Sequence, residues 1–76
     1  MPKFTVQIVN RDFRANSEVD APDIDSAHSE AIRGAMMIGT EEVCAGKPFF
    51  GAEILVEGHA GDAQRFMIAI GATPLQ

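Results

Sequence analysis

The chain has 76 residues, of which 46% are hydrophobic and 22% are charged, and six basic against eleven acidic residues give a net charge of −5 at pH 7. This length predicts a single domain, residues 1–76, because chains divide into separate cores only above about 250 residues. The acidic balance argues against nucleic acid as a direct partner, because duplex binding needs basic side chains that neutralise phosphates. One cysteine excludes an intramolecular disulfide, so packing, within the chain or across a homodimer, must stabilise a thin core.

The N-terminal sequence offers no targeting or membrane segment. Met1-Pro2-Lys3 leads directly into alternating residues, without the apolar run that a signal peptide needs. No stretch reaches the ~18 consecutive apolar residues of a membrane-spanning helix. We therefore expect a cytoplasmic protein without a membrane partner.

The first twenty residues predict a β-hairpin. Residues 3–9 alternate with a period of two, which places Phe4, Val6 and Ile8 on one face of a strand. Residues 10–12, Asn-Arg-Asp, are typical of a turn, and residues 13–19 alternate again in a weaker second strand. Pro22 then ends the ladder, because proline has no backbone N–H to donate.

A helix is predicted after this corner, with Asp25 as the N-cap because its carboxylate can accept from the free N–H groups of the first turn. It ends near Ala45, since Gly46 suits a left-handed C′ position and Pro48 prevents continuation. Small residues on its inward stripe indicate a close approach to a sheet. The stripe comprises Ala27, Ala31, Ala35, Ile38 and Val43, with Met36 beside them.

A second hairpin completes the chain. Residues 49–57 and 64–70 alternate around the turn Gly58-His59-Ala60-Gly61-Asp62. The second of these strands directs Phe66, Ile68 and Ile70 inward. The order β-β-α-β-β predicts an α+β fold, a four-stranded antiparallel sheet with one helix packed on one face.

One helix covers only one face of a sheet, so the other face is a candidate binding surface. Its residues are of mixed polarity, and both an ordinary solvated face and a homodimer contact are consistent with that composition. The candidate binding residues on this outer face are Thr5, Gln7, Val9, Leu55, Met67 and Ala69.

The residues of catalytic or metal-ligand type form no recognisable motif. His28 and His59 match no metal-ligand spacing, and the glycines form no phosphate-binding loop, so we predict neither a metal nor a cofactor. Cys44 lies near the helix C-terminus, where the dipole disfavours a thiolate, and is interpreted as a small buried hydrophobe. The aspartates 20, 23 and 25 lack EF-hand spacing and are interpreted as turn and cap residues.

Pro2 supports an alternative, enzymatic interpretation. Removal of Met1 would leave a secondary amine at the head of a strand, and Pro2 with the strand after it resembles the tautomerase superfamily. That resemblance implies a small enzyme that uses the Pro2 amine as a base. In that family, however, the first strand leads to a helix, whereas here a second strand and a turn intervene.

Longer stretches of the chain resemble a family of short bacterial β-β-α-β-β proteins of unknown function. The resemblance rests on the start Met1-Pro2-Lys3-Phe4, the acidic corner of residues 20–25, the alanine-rich residues 26–31 and the sequence of residues 45–48, Ala-Gly-Lys-Pro. It implies no catalytic residues.

The order of strand, strand, Ala21-Pro22-Asp23 and alanine-rich helix also resembles HicB-type antitoxins, whose small domain binds a toxin protein. Residues 18–42 carry seven acids and one arginine, a charge that can complement a basic partner. We therefore expect a non-enzymatic acidic interaction module that self-associates or binds another protein.

Overall fold

The computed structural model describes residues 1–75, which form four strands and one helix. The elements are β1 (Lys3–Val9), β2 (Arg14–Asp20), α1 (Ile24–Cys44), β3 (Phe49–Gly58) and β4 (Ala63–Gly71). All pairings are antiparallel, in the order β2-β1-β3-β4. The predicted α+β fold, with two hairpins around one helix, is confirmed.

The first hairpin closes at Asn10, whose side chain organises the turn. Its Oδ1 accepts hydrogen bonds from the backbone N–H groups of Asp12 at 2.8 Å and Phe13 at 3.0 Å. An asparagine side chain that bonds its own turn in this way stabilises the reversal without help from distant residues. The turn therefore aligns β1 with β2 through contacts that are local in the sequence.

Helix α1 begins two residues earlier than the sequence predicts. Asp23, not Asp25, is the N-cap: its backbone is extended and its Oδ1 accepts from the Ser26 N–H at 2.8 Å. The earlier start places Ile24 in the first turn, where it packs against the core. At the other end Gly46 adopts φ +111°, as predicted, and Ala45 is the C-cap.

The core lies between α1 and the inner face of the sheet. Along α1, Ala27, Ala31, Ala35 and Gly39 are buried, and their small size lets the helix approach the sheet closely. Ile38 and Val43 flank this stripe, whereas Met36 is 47% exposed, so its assignment to the buried stripe is wrong. The strands contribute the larger buried side chains Phe4, Val6, Ile8, Phe50, Ile54 and Val56.

Cys44 is exposed, contrary to the prediction of a buried hydrophobe. It follows Val43, which packs against the core, and successive helical residues point about 100° apart. The packing of Val43 therefore turns Cys44 toward solvent.

Candidate functional site

The outer face of the sheet lies opposite α1 and brings the six predicted binding residues onto one surface. The strand registers place Gln7 opposite Leu55, and Leu55 opposite Arg65. Val9 lies opposite Glu53, which in turn faces Met67. Period-two alternation thus assigned the faces correctly, because side chains of one parity share a face along every strand.

The outer face divides into a polar end and an apolar end. Thr5 lies at the polar end, between Glu18 on β2 and Glu57 on β3. Met67 is 74% exposed at the apolar end, where Ala69 follows it along β4. Val9, Met67 and Ala69 therefore lie at the apolar end, Leu55 lies between the two ends in the row of Gln7 and Arg65, and Thr5 and Gln7 lie toward the polar end.

Phe49 extends the apolar end and was not among the predicted site residues. Its side chain is 64% exposed and lies beside Gly51, where an added methyl group would be 2.9 Å from Phe49 Cε2. Gly71, the cross-strand partner of Phe49, also lacks a side chain. The two glycines leave room for the ring to lie on the sheet. The alternation that placed Leu55 outward reaches Phe49 in steps of two and could have identified it.

Ion pairs and hydrogen bonds fix the polar side chains of the outer face. Arg65 Nη2 donates to Glu53 Oε1 at 2.6 Å, and Gln7 Nε2 donates to Asn16 Oδ1 at 3.1 Å. The Glu53–Arg65 pair joins β3 to β4 diagonally, because the residue directly opposite Arg65 is Leu55. Exposed pairs of this kind contribute little stability, so their main effect here is to hold the charged groups beside the apolar side chains.

A cleft of about 540 Å³ continues the apolar end beyond the sheet, and Val9, Phe49, Met67 and Lys47 are among its lining residues. Lys47 Nζ lies 2.9 Å from Glu42 Oε1 and 3.7 Å from Asp12 Oδ2. Its hydrogen bond to Glu42 raises the pKa of Lys47 above its ordinary value. This cation is therefore already neutralised by the chain's own carboxylates.

The two histidines lie apart and have different surroundings. His28 stacks on Phe66 with ring centroids 4.1 Å apart, and its Nδ1 lies 2.6 Å from Gln64 Oε1. Gln64 Nε2 donates in turn to Asp25 Oδ1 at 3.5 Å. This chain of contacts ties the start of α1 to β4. Among residues 1–75, no three His, Cys, Asp or Glu side chains form a group that could hold a metal ion.

Pro2 lies away from the outer face and lines a cavity of about 450 Å³ beside the start of β1 and the end of β3. Asp23, His59 and Asp62 also line this cavity. The Pro2 carbonyl accepts a hydrogen bond from the Ala21 N–H at 3.1 Å, which holds the residue at the head of β1. The fold thus brings the N-terminal proline and the loop histidine, 57 positions apart in the sequence, to one cavity.

Comparison of the sequence with protein-family models, with curated proteins and with solved structures gives no match. Within residues 1–75, α1 does not combine the length and the apolar composition that crossing a membrane would require.

Proposed function

We propose that this protein is a non-enzymatic interaction module that self-associates through the apolar end of its outer sheet face. The observation that carries this proposal is that Met67 and Phe49 are exposed near Val9 at the apolar end, on the face opposite α1. Leu55 lies one row further along the same face. Association removes this apolar surface from water, which is favourable by roughly 25 cal/mol for each Å² buried.

The charge distribution supports a second copy of this chain as the partner. The outer face carries a net charge of −1, whereas the whole chain carries −5. Two copies can therefore meet at this face with little repulsion, while their acidic helices stay on opposite outer sides. The charged residues of the face are Lys3, Arg14, Arg65, Glu18, Asp20, Glu53 and Glu57.

We also propose that the protein is cytoplasmic and that it binds a second, basic protein. The acidic residues of α1 lie away from the outer face and remain available to a basic protein, as the resemblance to HicB-type antitoxins implies. Asp23 and Asp25 have roles within the fold, because Asp23 accepts from Ser26 and Asp25 from Gln64. Glu30 and Glu41, further along the helix, are the acids to reverse when testing a basic partner.

Leu55→Glu tests the outer-face contact with the least disturbance of the fold. Leu55 is half-buried and lies on the central strand β3, so the new carboxylate faces outward without affecting a sheet edge. Met37→Glu is the matched control, because Met37 is 67% exposed on α1. We expect native mass spectrometry to show the same subunit number for the parent and Met37→Glu, and half that number for Leu55→Glu, because only the outer-face contact is lost. A parent that stays monomeric at hundreds of micromolar refutes the proposal.

The cavity around Pro2 favours one second candidate, a small tautomerase-like enzyme. If Met1 is removed, the Pro2 amine stands at a cavity that already holds an imidazole and carboxylates, groups that can shuttle protons. Such an enzyme would move a proton between carbon and oxygen of a keto–enol substrate. Ketonisation of an α-keto acid enol by the untagged protein, lost in Pro2→Ala with folding preserved, would establish it. Absence of turnover in protein whose mass shows that Met1 has been removed would exclude it.

A further inference from the structure

The two edge strands of the sheet differ in how their free edges are protected. Strand β2 carries Arg14, Glu18 and Asp20 within seven residues, and charged residues on an edge discourage pairing with another chain. Strand β4 has nine residues and only one charge, Arg65. Its last six residues, 66–71, contain neither a charge nor a proline. Within the described part of the chain, β4 pairs with β3 alone, so its other edge is unprotected.

The hydrogen bonds beyond each end of β4 show which backbone groups are free. The Ala72 N–H donates to the Pro48 carbonyl at 3.0 Å, and the Gly58 N–H donates to the Asp62 carbonyl at 2.9 Å. Hydrogen-bonded pairs alternate along an antiparallel ladder, so the even-numbered residues of β4 bond to β3. The N–H and C=O groups of Met67 and Ala69 therefore point away from the sheet.

The inward-facing side chains of β4 are only partly covered. Phe66, Ile68 and Ile70 face the helix side of the sheet but are half-buried, whereas Ile54 and Val56 on the neighbouring β3 are fully buried. The apolar layer between sheet and helix therefore reaches the β4 edge and stays open there. A sheet edge that faces water is usually protected by charged residues, and this part of the β4 edge is not.

The flank of α1 above β4 continues the same apolar surface. His28 and Gly39 face β4, since both lie against its side chains. Ile32 and Met36 fall on the same helical stripe, because they follow His28 in steps of four and Met36 precedes Gly39 by three. Ile32 is half-buried and Met36 is 47% exposed there. The unprotected edge, the half-buried side chains and this helix flank thus form one band along one side of the molecule.

We infer that β4 pairs antiparallel with β4 of a second copy of this chain, which joins the two sheets into one sheet twice as wide. A two-fold axis perpendicular to the sheet relates the copies, so both helices lie on the same side and their Ile32–Met36 flanks face each other. The pairing satisfies the free backbone groups of β4 and covers its half-buried side chains. This contact leaves both outer faces free, and so it does not depend on the proposed outer-face contact.

A second copy suits this edge for reasons of symmetry and charge. In an isologous contact each copy offers the same groups, so the uncharged residues 66–71 meet their own counterparts and no buried charge lacks a partner. Main-chain hydrogen bonds supply the affinity of such a strand addition, and the helix flanks add side-chain contact that a strand edge alone lacks.

Ala69→Pro tests the strand pairing. The Ala69 N–H points away from β3, so proline removes no hydrogen bond within the chain, and it keeps an apolar group at this outer-face position. Glu18→Pro is the matched control on the other edge. The backbone bonds from Asn10 to Phe13 and from Ala21 to Pro2 show that the odd-numbered residues of β2 bond to β1. The backbone N–H of Glu18 therefore points away from the sheet, and proline removes no hydrogen bond there either. Circular dichroism verifies that both variants fold.

Met36→Glu and Met37→Glu test the helix flank. The two methionines are adjacent and exposed, but Met37 lies about 100° further around the helix, away from β4. In the paired form a glutamate at position 36 approaches its own counterpart in an apolar contact. We expect the dissociation constant of the dimer to rise about tenfold or more for Met36→Glu, because like charges brought together oppose association. We expect it to stay unchanged for Met37→Glu.

Native mass spectrometry and amide hydrogen exchange give the decisive results. We expect Ala69→Pro and Met36→Glu to dissociate the β4-linked dimer, whereas Glu18→Pro, Met37→Glu and Leu55→Glu retain it. In the parent, the Met67 and Ala69 amides should exchange more slowly as concentration rises. A parent that is monomeric at hundreds of micromolar overturns the inference. A dimer that survives Ala69→Pro but is lost in Leu55→Glu also overturns it and leaves the outer-face proposal standing.

Discussion

Two glycines of α1 should respond differently to the same substitution. Alanine is favoured over glycine inside a helix by about 1 kcal/mol. At Gly34 an added methyl group meets no atom within 4 Å, so Gly34→Ala should stabilise the protein by about that amount. For a domain of this size, 1 kcal/mol corresponds to a rise of roughly 4–8 °C in Tm.

At Gly39 the same methyl group would lie 2.6 Å from Ile70 Cδ1 and 2.7 Å from Phe50 Cδ2. Carbon atoms pack without repulsion only at about 3.5–4.0 Å. Phe50 is buried and cannot swing away, whereas the half-buried Ile70 can shift. Overpacking of this kind costs about 1–3 kcal/mol, which exceeds or cancels the gain in helix propensity. Gly39→Ala should therefore unfold more easily than Gly34→Ala by about 1–3 kcal/mol.

Urea unfolding followed by circular dichroism, at one protomer concentration for all variants, measures this difference. Ile70→Val removes Cδ1, the nearest of the contacted atoms, and should recover part of the loss when combined with Gly39→Ala. Equal stabilisation by both alanine substitutions would refute the close seating of α1 on the sheet. No gain from Gly34→Ala would instead refute the propensity argument.

Three further substitutions test the cap, an ion pair and the core. The hydrogen bond from the Ser26 N–H lowers the pKa of Asp23, so the stability that this cap contributes is present at neutral pH and is lost as pH falls through the lowered value. Asp23→Ala should lower Tm and flatten the acid dependence of Tm, whereas Asp23→Asn should retain the cap. Glu42 raises the pKa of Lys47 above its ordinary value, so that contribution is present at neutral pH and is lost as pH rises through the raised value. Lys47→Met should remove this alkaline decline in Tm. Ile54 is fully buried, so Ile54→Ala should cost about 2–5 kcal/mol, and a urea midpoint within error of the parent would contradict its central position.

Local sequence pattern was sufficient for the elements and for the faces of the strands. Period-two alternation assigned the buried and outward sets of β1 and β3, because side-chain direction in a strand depends only on residue parity. Gly46 and Pro48 marked the end of α1 for similarly local reasons. The sequence misplaced the cap by two residues, at Asp25 instead of Asp23. Both aspartates satisfy the local rule, and the packing of Ile24 decides between them.

Cys44 and Met36 show where helical periodicity fails. Each follows a residue that packs inward, Val43 and Ala35 respectively, and only the seating of the helix on β3 and β4 determines which side of the stripe is covered. The sequence has no local signal for this seating, since it depends on the contact of Gly39 with side chains from two distant strands.

The order β2-β1-β3-β4, which the sequence leaves open, decides every surface from which function is inferred. It places β4 at an edge and brings Phe49 to the outer face beside residues from β1 and β4. It also sets Pro2 beside the loop of His59. Strand pairing joins segments that are distant in the sequence, and the free energy that selects one order arises from packing the whole core. The sequence alone therefore determined the elements and their faces, and the tertiary structure determined which faces and edges remain available for binding.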